Sequence, residues 1–143
     1  MDEFLLKLDI PDDARCELAS LGTKKRMISG DVLFDYHDPA GALFFVQKGR
    51  LAVHKSTGFL EKMQVIALLD PGAVIGEAAF LDGHIRKTRV TAIEESVIVC
   101  FEKNALKAFC QEYPASGFVF LEYLFLTATL RLEKTSERLA RIL

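Results

Sequence analysis

The sequence predicts a mainly β domain, a sandwich or barrel of short strands flanked by helices. Three observations carry that expectation. From Thr23 to about residue 101 the apolar segments are short and are broken by turn formers at roughly ten-residue intervals. On either side of that region the apolar residues recur at helical spacings instead. The chain has 143 residues and half of them are hydrophobic, enough for one domain with a real core and too few for two.

The elements follow in order. Residues 1–22 read as helical: DEFLLKL and PDDARCELASLG place Phe4, Leu5, Leu8, Leu18 and Leu21 on helical faces, with Pro11, Asp12 and Asp13 as a start and Gly22 as a stop. Residues 23–102 read as strands: KRMIS, DVLFDY, ALFFVQ, RLAVHK, MQVIALL, AVIG, RVTAI and SVIVCF. Ser29-Gly30-Asp31, Asp38-Pro39, Lys48-Gly49, Thr57-Gly58, Asp70-Pro71-Gly72 and Asp82-Gly83 punctuate them. Residues 103–143 return to helices. NALKAFCQEY is a short one ending near Pro114, and a long one runs from about Ala115 onward. The plan is one domain of helices, β-roll and helices, without repeats or a low-complexity linker.

Composition removes several function classes. A net charge of −2 does not suit a domain devoted to nucleic acid or to anionic membranes. Cys16, Cys100 and Cys110 are odd in number and far apart, which points to reduced thiols and a cytoplasmic setting. MDEFLLKLDIPDD has acids where a signal peptide needs a basic start. In FVFLEYLFLTATL, Glu122 interrupts the apolar run and Arg131 follows it, so no membrane span is expected. His37, His54 and His84 are scattered, and no metal or cofactor is expected. No nucleophile elbow, phosphate-binding loop of the Walker type or Cys/His pair is present, so no enzyme is read.

The last helix carries a heptad pattern. Phe118, Phe125, Leu132 and Leu139 are spaced by seven, and Leu121, Ala128, Thr135 and Ile142 follow three residues later. The first half is expected to pack on the β-roll and the second to pair with another copy; the alternative is a helix lying only along its own domain. Arg131, Lys134, Arg138 and Arg141 read as a solvated flank paired with Glu133 and Glu137.

The stretch GEAAFLDGHIRKTRVTA, residues 76–92, holds the chemistry. Gly76 allows positive φ or a close backbone approach. Ala78 and Ala79 leave backbone amides open to an anion. Arg86 supplies a forked permanent charge suited to phosphate, and Glu77 an acceptor for sugar hydroxyls. Together these describe a ribose-phosphate pocket; the alternative is a surface hairpin with solvated charges.

This stretch resembles the phosphate-binding cassette of cyclic nucleotide-binding domains at Gly76, Glu77, Ala79, Arg86, Val90 and Ala92. KKRMISGDVLFDYHDPAGALFFVQKGRLAVHK and LLDPGAVIGE resemble the family's preceding segments, so the likeness spans almost the whole chain. By texture the nearest relatives are the sensor domains of bacterial regulators of the catabolite activator class. The resemblance implies a double-stranded β-helix (jelly roll) and a dimer through the C-terminal helix. It assigns Glu77 to the ribose 2′-hydroxyl, Arg86 to the cyclic phosphate and amides around Gly76, Ala78 and Ala79 to the phosphate cradle. Lys87 and Thr88 follow Arg86 directly, where Lys87 either adds phosphate charge or crowds the site. Thr135-Ser136 in KTSERL matches a Thr-Ser pair that reads the adenine amino group, one residue from each subunit; the alternative is a seam residue that fixes register.

The departures are Ile85 for a common Pro, Lys87 for a small or hydroxyl residue, and Arg89 where Thr or Ser marks guanine preference. Residues 114–135 also span about one helical turn more than in the catabolite activator. The expected function is therefore a dimeric cyclic-nucleotide sensor, for cAMP before cGMP. The alternatives are a β-roll that only dimerises or docks, and the sensor half of a transcription regulator. Direct nucleic-acid binding by these residues is not expected. Replacing Arg86 by alanine is expected to abolish binding without opening a core cavity.

Overall fold

The computed structural model describes residues 3–58 and 62–143. Two short helices, α1 (Glu3–Leu6) and α2 (Asp12–Ser20), open it; residues 1 and 2 of the expected N-terminal segment lie outside the described residues. Pro11 precedes α2 in an extended conformation, and Asp12 and Asp13 place negative charge at its positive end. The Arg15 side chain donates to the carbonyls of Leu5, Leu8 and Ile10, which ties the two helices together.

Eight strands follow: β1 (Thr23–Met27), β2 (Val32–Phe34), β3 (Ala42–Lys48), β4 (Leu51–Ser56), β5 (Met63–Leu69), β6 (Val74–Ile75), β7 (Arg89–Ala92) and β8 (Ser96–Glu102). They form two four-stranded antiparallel sheets, ordered β1-β8-β3-β6 and β2-β7-β4-β5. This is the expected jelly roll. The first sheet is covered on both faces. Phe44, Val46, Ile75 and Ile98 meet the second sheet, while Leu43, Phe45, Val99 and Phe101 meet the helices. Covering on both faces explains why ALFFV is an unbroken apolar run rather than an alternation. At the sheet's edge, β1 exposes Lys24, Lys25 and Arg26, charges that discourage pairing with a further strand.

Two helices close the chain: α3 (Lys103–Glu112) and α4 (Pro114–Ile142). Pro114 starts α4 because its ring pre-sets helical φ and its missing N–H is not needed in the first turn. Gly117 lets the two helices approach, since a Cβ there would sit 2.8 Å from the Cys110 Cα. The hairpin so formed buries Leu106, Phe109, Phe120 and Leu124 against Phe4, Leu5 and the first sheet. Phe4 stacks on Phe45 with ring centroids 3.5 Å apart.

Beyond Leu124 no residue of α4 is buried. Phe118, Phe125, Leu132 and Leu139, the first heptad set, all face solvent in the single chain. Among the described residues α4 is the one helix long and apolar enough, by length and composition, to cross a membrane.

Candidate functional site

The residues from β6 to β7 wrap one side of a cavity of about 320 Å³, and α4 lies across the other. Gly76 is left-handed, with φ of 76°, and turns the chain from β6 into a short 3-10 turn, Glu77–Phe80. A side chain at that position would be strained. It would also collide with Nη1 of Arg86. The cassette is pinned from outside, because Asp82 pairs with both Lys103 and Lys107 on α3. The bond to Lys107, then that to Lys103, holds the Asp82 carboxyl below its usual 3.8. A depressed folded value means that this contact supports the fold above the ordinary carboxylate range and is lost as pH falls through it.

Arg86 is 5% exposed. Its backbone is fixed by the loop at residues 37–40: His37 N–H donates to the Arg86 carbonyl at 3.0 Å, and Arg86 N–H donates to Asp38 O at 2.8 Å. The guanidinium lies 4.2 Å from the Phe34 ring centroid and donates to Gly76 O (3.3 Å) and Ala42 O (2.5 Å). Nε is buried without a hydrogen-bond partner. Among the described residues, no ion pair satisfies this charge. Burial pulls its pKa below the ordinary guanidinium value, with Glu77 and Asp38 opposing that shift. A buried cation flanked by aromatic faces corrects the expectation that removing Arg86 would leave no cavity.

Of the expected site residues, Gly76, Glu77, Ala78, Arg86, Lys87, Thr88 and Thr135 line the cavity. Ala79 is buried beneath it, and its N–H is committed to Gly76 O at 2.9 Å. Ser136 is exposed and does not line it. Arg89 points elsewhere, to Asp35 at 2.9 Å.

Two arginines in the cavity wall were assigned otherwise from sequence. Arg131 donates from Nη1 to Glu77 Oε1 at 2.9 Å and from Nη2 to the Val74 carbonyl. Arg138 donates from Nη1 to Ile66 O at 3.0 Å. Among the described residues no ion pair falls within α4, so the expected pairing of these residues with Glu133 and Glu137 does not form. The signal was present: residues three and four apart share a helix face, so a Thr135 that faces the cavity brings Arg131 and Arg138 with it.

The family model of the cyclic nucleotide-binding domain matches residues 24–113, more than half of the chain. The chain belongs to that family. Its members are generally non-catalytic sensor modules. The domain is similar to a cyclic nucleotide-binding domain from Methylobacillus flagellatus, with 23% identity over 99% of this chain and 81% of that one, at a TM-score of 0.90. It is also similar to the Thermus thermophilus catabolite activator protein, with 20% identity over 96% of this chain and a TM-score of 0.75. A third likeness is to CLP, the c-di-GMP-responsive global regulator of Xanthomonas campestris, with 16% identity over 92% of this chain and a TM-score of 0.80. The domain spans 62% and 64% of those two regulators. At such identities the likeness establishes the fold. No curated protein sequence matches the chain.

Proposed function

We propose that this domain senses a cyclic nucleotide, cAMP before cGMP, and signals through α4. The observation that carries the reading is Arg86: a buried guanidinium with an unpartnered Nε and, among the described residues, no ion-pair partner, in the wall of a nucleotide-sized cavity. Charge-assisted bonds to a phosphate would satisfy it. Glu77, on the same wall, is the acceptor for a ribose hydroxyl. That hydroxyl competes with Arg131 for the same carboxylate oxygen, so filling the cavity and holding α4 through Arg131 are coupled. Ligand then favours a different population of α4 arrangements. The exposed heptad stripe is the surface through which a second copy receives that change, giving a homodimer. Thr135 supports adenine: its hydroxyl already donates to Arg131 O at 2.9 Å, so it offers the ligand an acceptor, as an amino group requires.

The test is calorimetric titration of the ligand-stripped protein and of Arg86→Met, which fills the aromatic slot without charge. Micromolar cAMP binding by the parent, weakened at least about a hundredfold in the variant, is expected from the loss of charge-assisted bonds. A second reading, a β-roll that dimerises or docks without nucleotide, is favoured by Arg131 already occupying Glu77. Absence of binding by both nucleotides selects it.

A further inference from the structure

We propose that Arg138 and the main-chain carbonyl of Ile66 act as one donor–acceptor reader for the edge of an adenine base, built within a single chain. The inference rests on the nucleotide reading above and adds a base contact to it.

The first support is position. Arg131, Thr135 and Arg138 lie four and three residues apart, so they form one stripe on α4, and all three line the same cavity. Arg131 marks the ribose end through Glu77. Arg138 is seven residues further along, about 10 Å of helix, toward the other end of a bound nucleoside. The wall facing it is apolar, formed by Val53, Ile66, Ala67 and Leu69, which suits the flat face of a base.

The second is a defect in the sheet. The β4–β5 register steps from Val53↔Ala67 directly to His54↔Val65, so Ile66 is an extra residue with no partner on β4. Bulges of this kind re-aim groups beside functional sites. Here the Ile66 carbonyl turns to α4 and accepts from Arg138 Nη1 at 3.0 Å.

The third is chemistry. A guanidinium only donates and a carbonyl only accepts. The adenine edge offers the complement, N7 as acceptor and N6–H₂ as donor, whereas guanine presents two acceptors, N7 and O6. Without ligand, Arg138 and Ile66 satisfy each other. An adenine edge entering between them satisfies both, with N7 on Arg138 and N6 on Ile66 O. A guanine edge sets O6 against the carbonyl, acceptor facing acceptor, and so forfeits one of the two bonds that an adenine edge makes.

The experiment uses the full chain and four probes: cAMP, cGMP, 7-deaza-cAMP, and the cyclic phosphate of purine riboside, which lacks the N6 amine. The parent is expected to bind cAMP about tenfold more tightly than each of the others, the scale of one lost hydrogen bond. In Arg138→Ala, cAMP and 7-deaza-cAMP are expected to bind alike, while the preference for the N6 amine persists. Equal affinity of the parent for cAMP and 7-deaza-cAMP overturns the inference alone. So does a 7-deaza penalty that survives Arg138→Ala, or a preference for cGMP. Failure of all four probes to bind overturns the nucleotide reading and this inference with it.

Discussion

The two halves of α4 are held by different physics. The first half is anchored by apolar burial: Phe120 is fully buried, and Leu124, at 5% exposure, packs into the same core with Phe4 and Phe109. The second half leaves Leu132, Leu139 and Ile142 in solvent and reaches the β-roll through the arginines Arg131 and Arg138. Burial is indifferent to what enters the cavity, since its partners are other core side chains. The polar tether to Glu77 and to Ile66 O consists of the atoms for which, under the proposed function, a ligand would compete. One helix thus combines an apolar anchor with a polar tether, and under the proposed function only the tether is open to replacement by a ligand.

The largest expected effect lies on the anchored half. Phe120→Ala empties a fully buried site and is expected to cost about 3–5 kcal/mol, read by urea unfolding. A loss below 1 kcal/mol would mean that the first half is not an anchor. On the free half, Phe125→Glu with Leu132→Glu is expected to abolish self-association in sedimentation equilibrium, because each removes an apolar contribution of about 1.5–3 kcal/mol from the seam. An unchanged molecular mass would place the stripe outside any seam between copies.

Smaller effects probe the surface to which the arm is tethered. Gly76→Ala puts a Cβ at a left-handed position and against Arg86, and is expected to cost about 1–2 kcal/mol in stability. No loss would mean that the cassette relaxes freely around Arg86. Arg131→Gln is the mildest, since the pair with Glu77 is partly exposed on both sides; about 1 kcal/mol or less is expected. Its signature is local: amide exchange should quicken from residue 125 onward and stay unchanged around Phe120. Uniform quickening along α4 would show that the two halves move as one.

Much of this molecule is legible along the chain. Turn glycines and short apolar runs mark the eight strands, because strand ends and turns are decided by a few adjacent residues. The Gly-Glu and Arg of GEAAFLDGHIRKTRVTA mark the cassette for the same reason: Gly76 and Arg86 sit ten residues apart in one local turn structure. Of the two heptad sets, Phe118, Phe125, Leu132 and Leu139 mark a face of α4 that its own domain leaves uncovered, whereas Thr135 of the second set lines the domain's own cavity.

Arg131 and Arg138 escaped that reading. Along the sequence Glu133 and Glu137 alternate with the cations, which invites local pairing, but at two and six residues from Arg131 neither shares its helix face. Its actual partner is Glu77, 54 residues away, and that contact exists only because Phe120 and Leu124 set the angle at which α4 crosses the cavity. Arg86 shows the same division. Its presence was evident from spacing, but its burial between Phe34 and Phe44 required β2 and β3 to close around it. The sequence by itself determined the strands, the turns and the type of chemistry in the cassette, all products of short-range sterics and hydrophobic periodicity. The tertiary structure alone decided which charges lost their water and which carbonyl each arginine reached, because desolvation and long-range pairing depend on how distant segments pack.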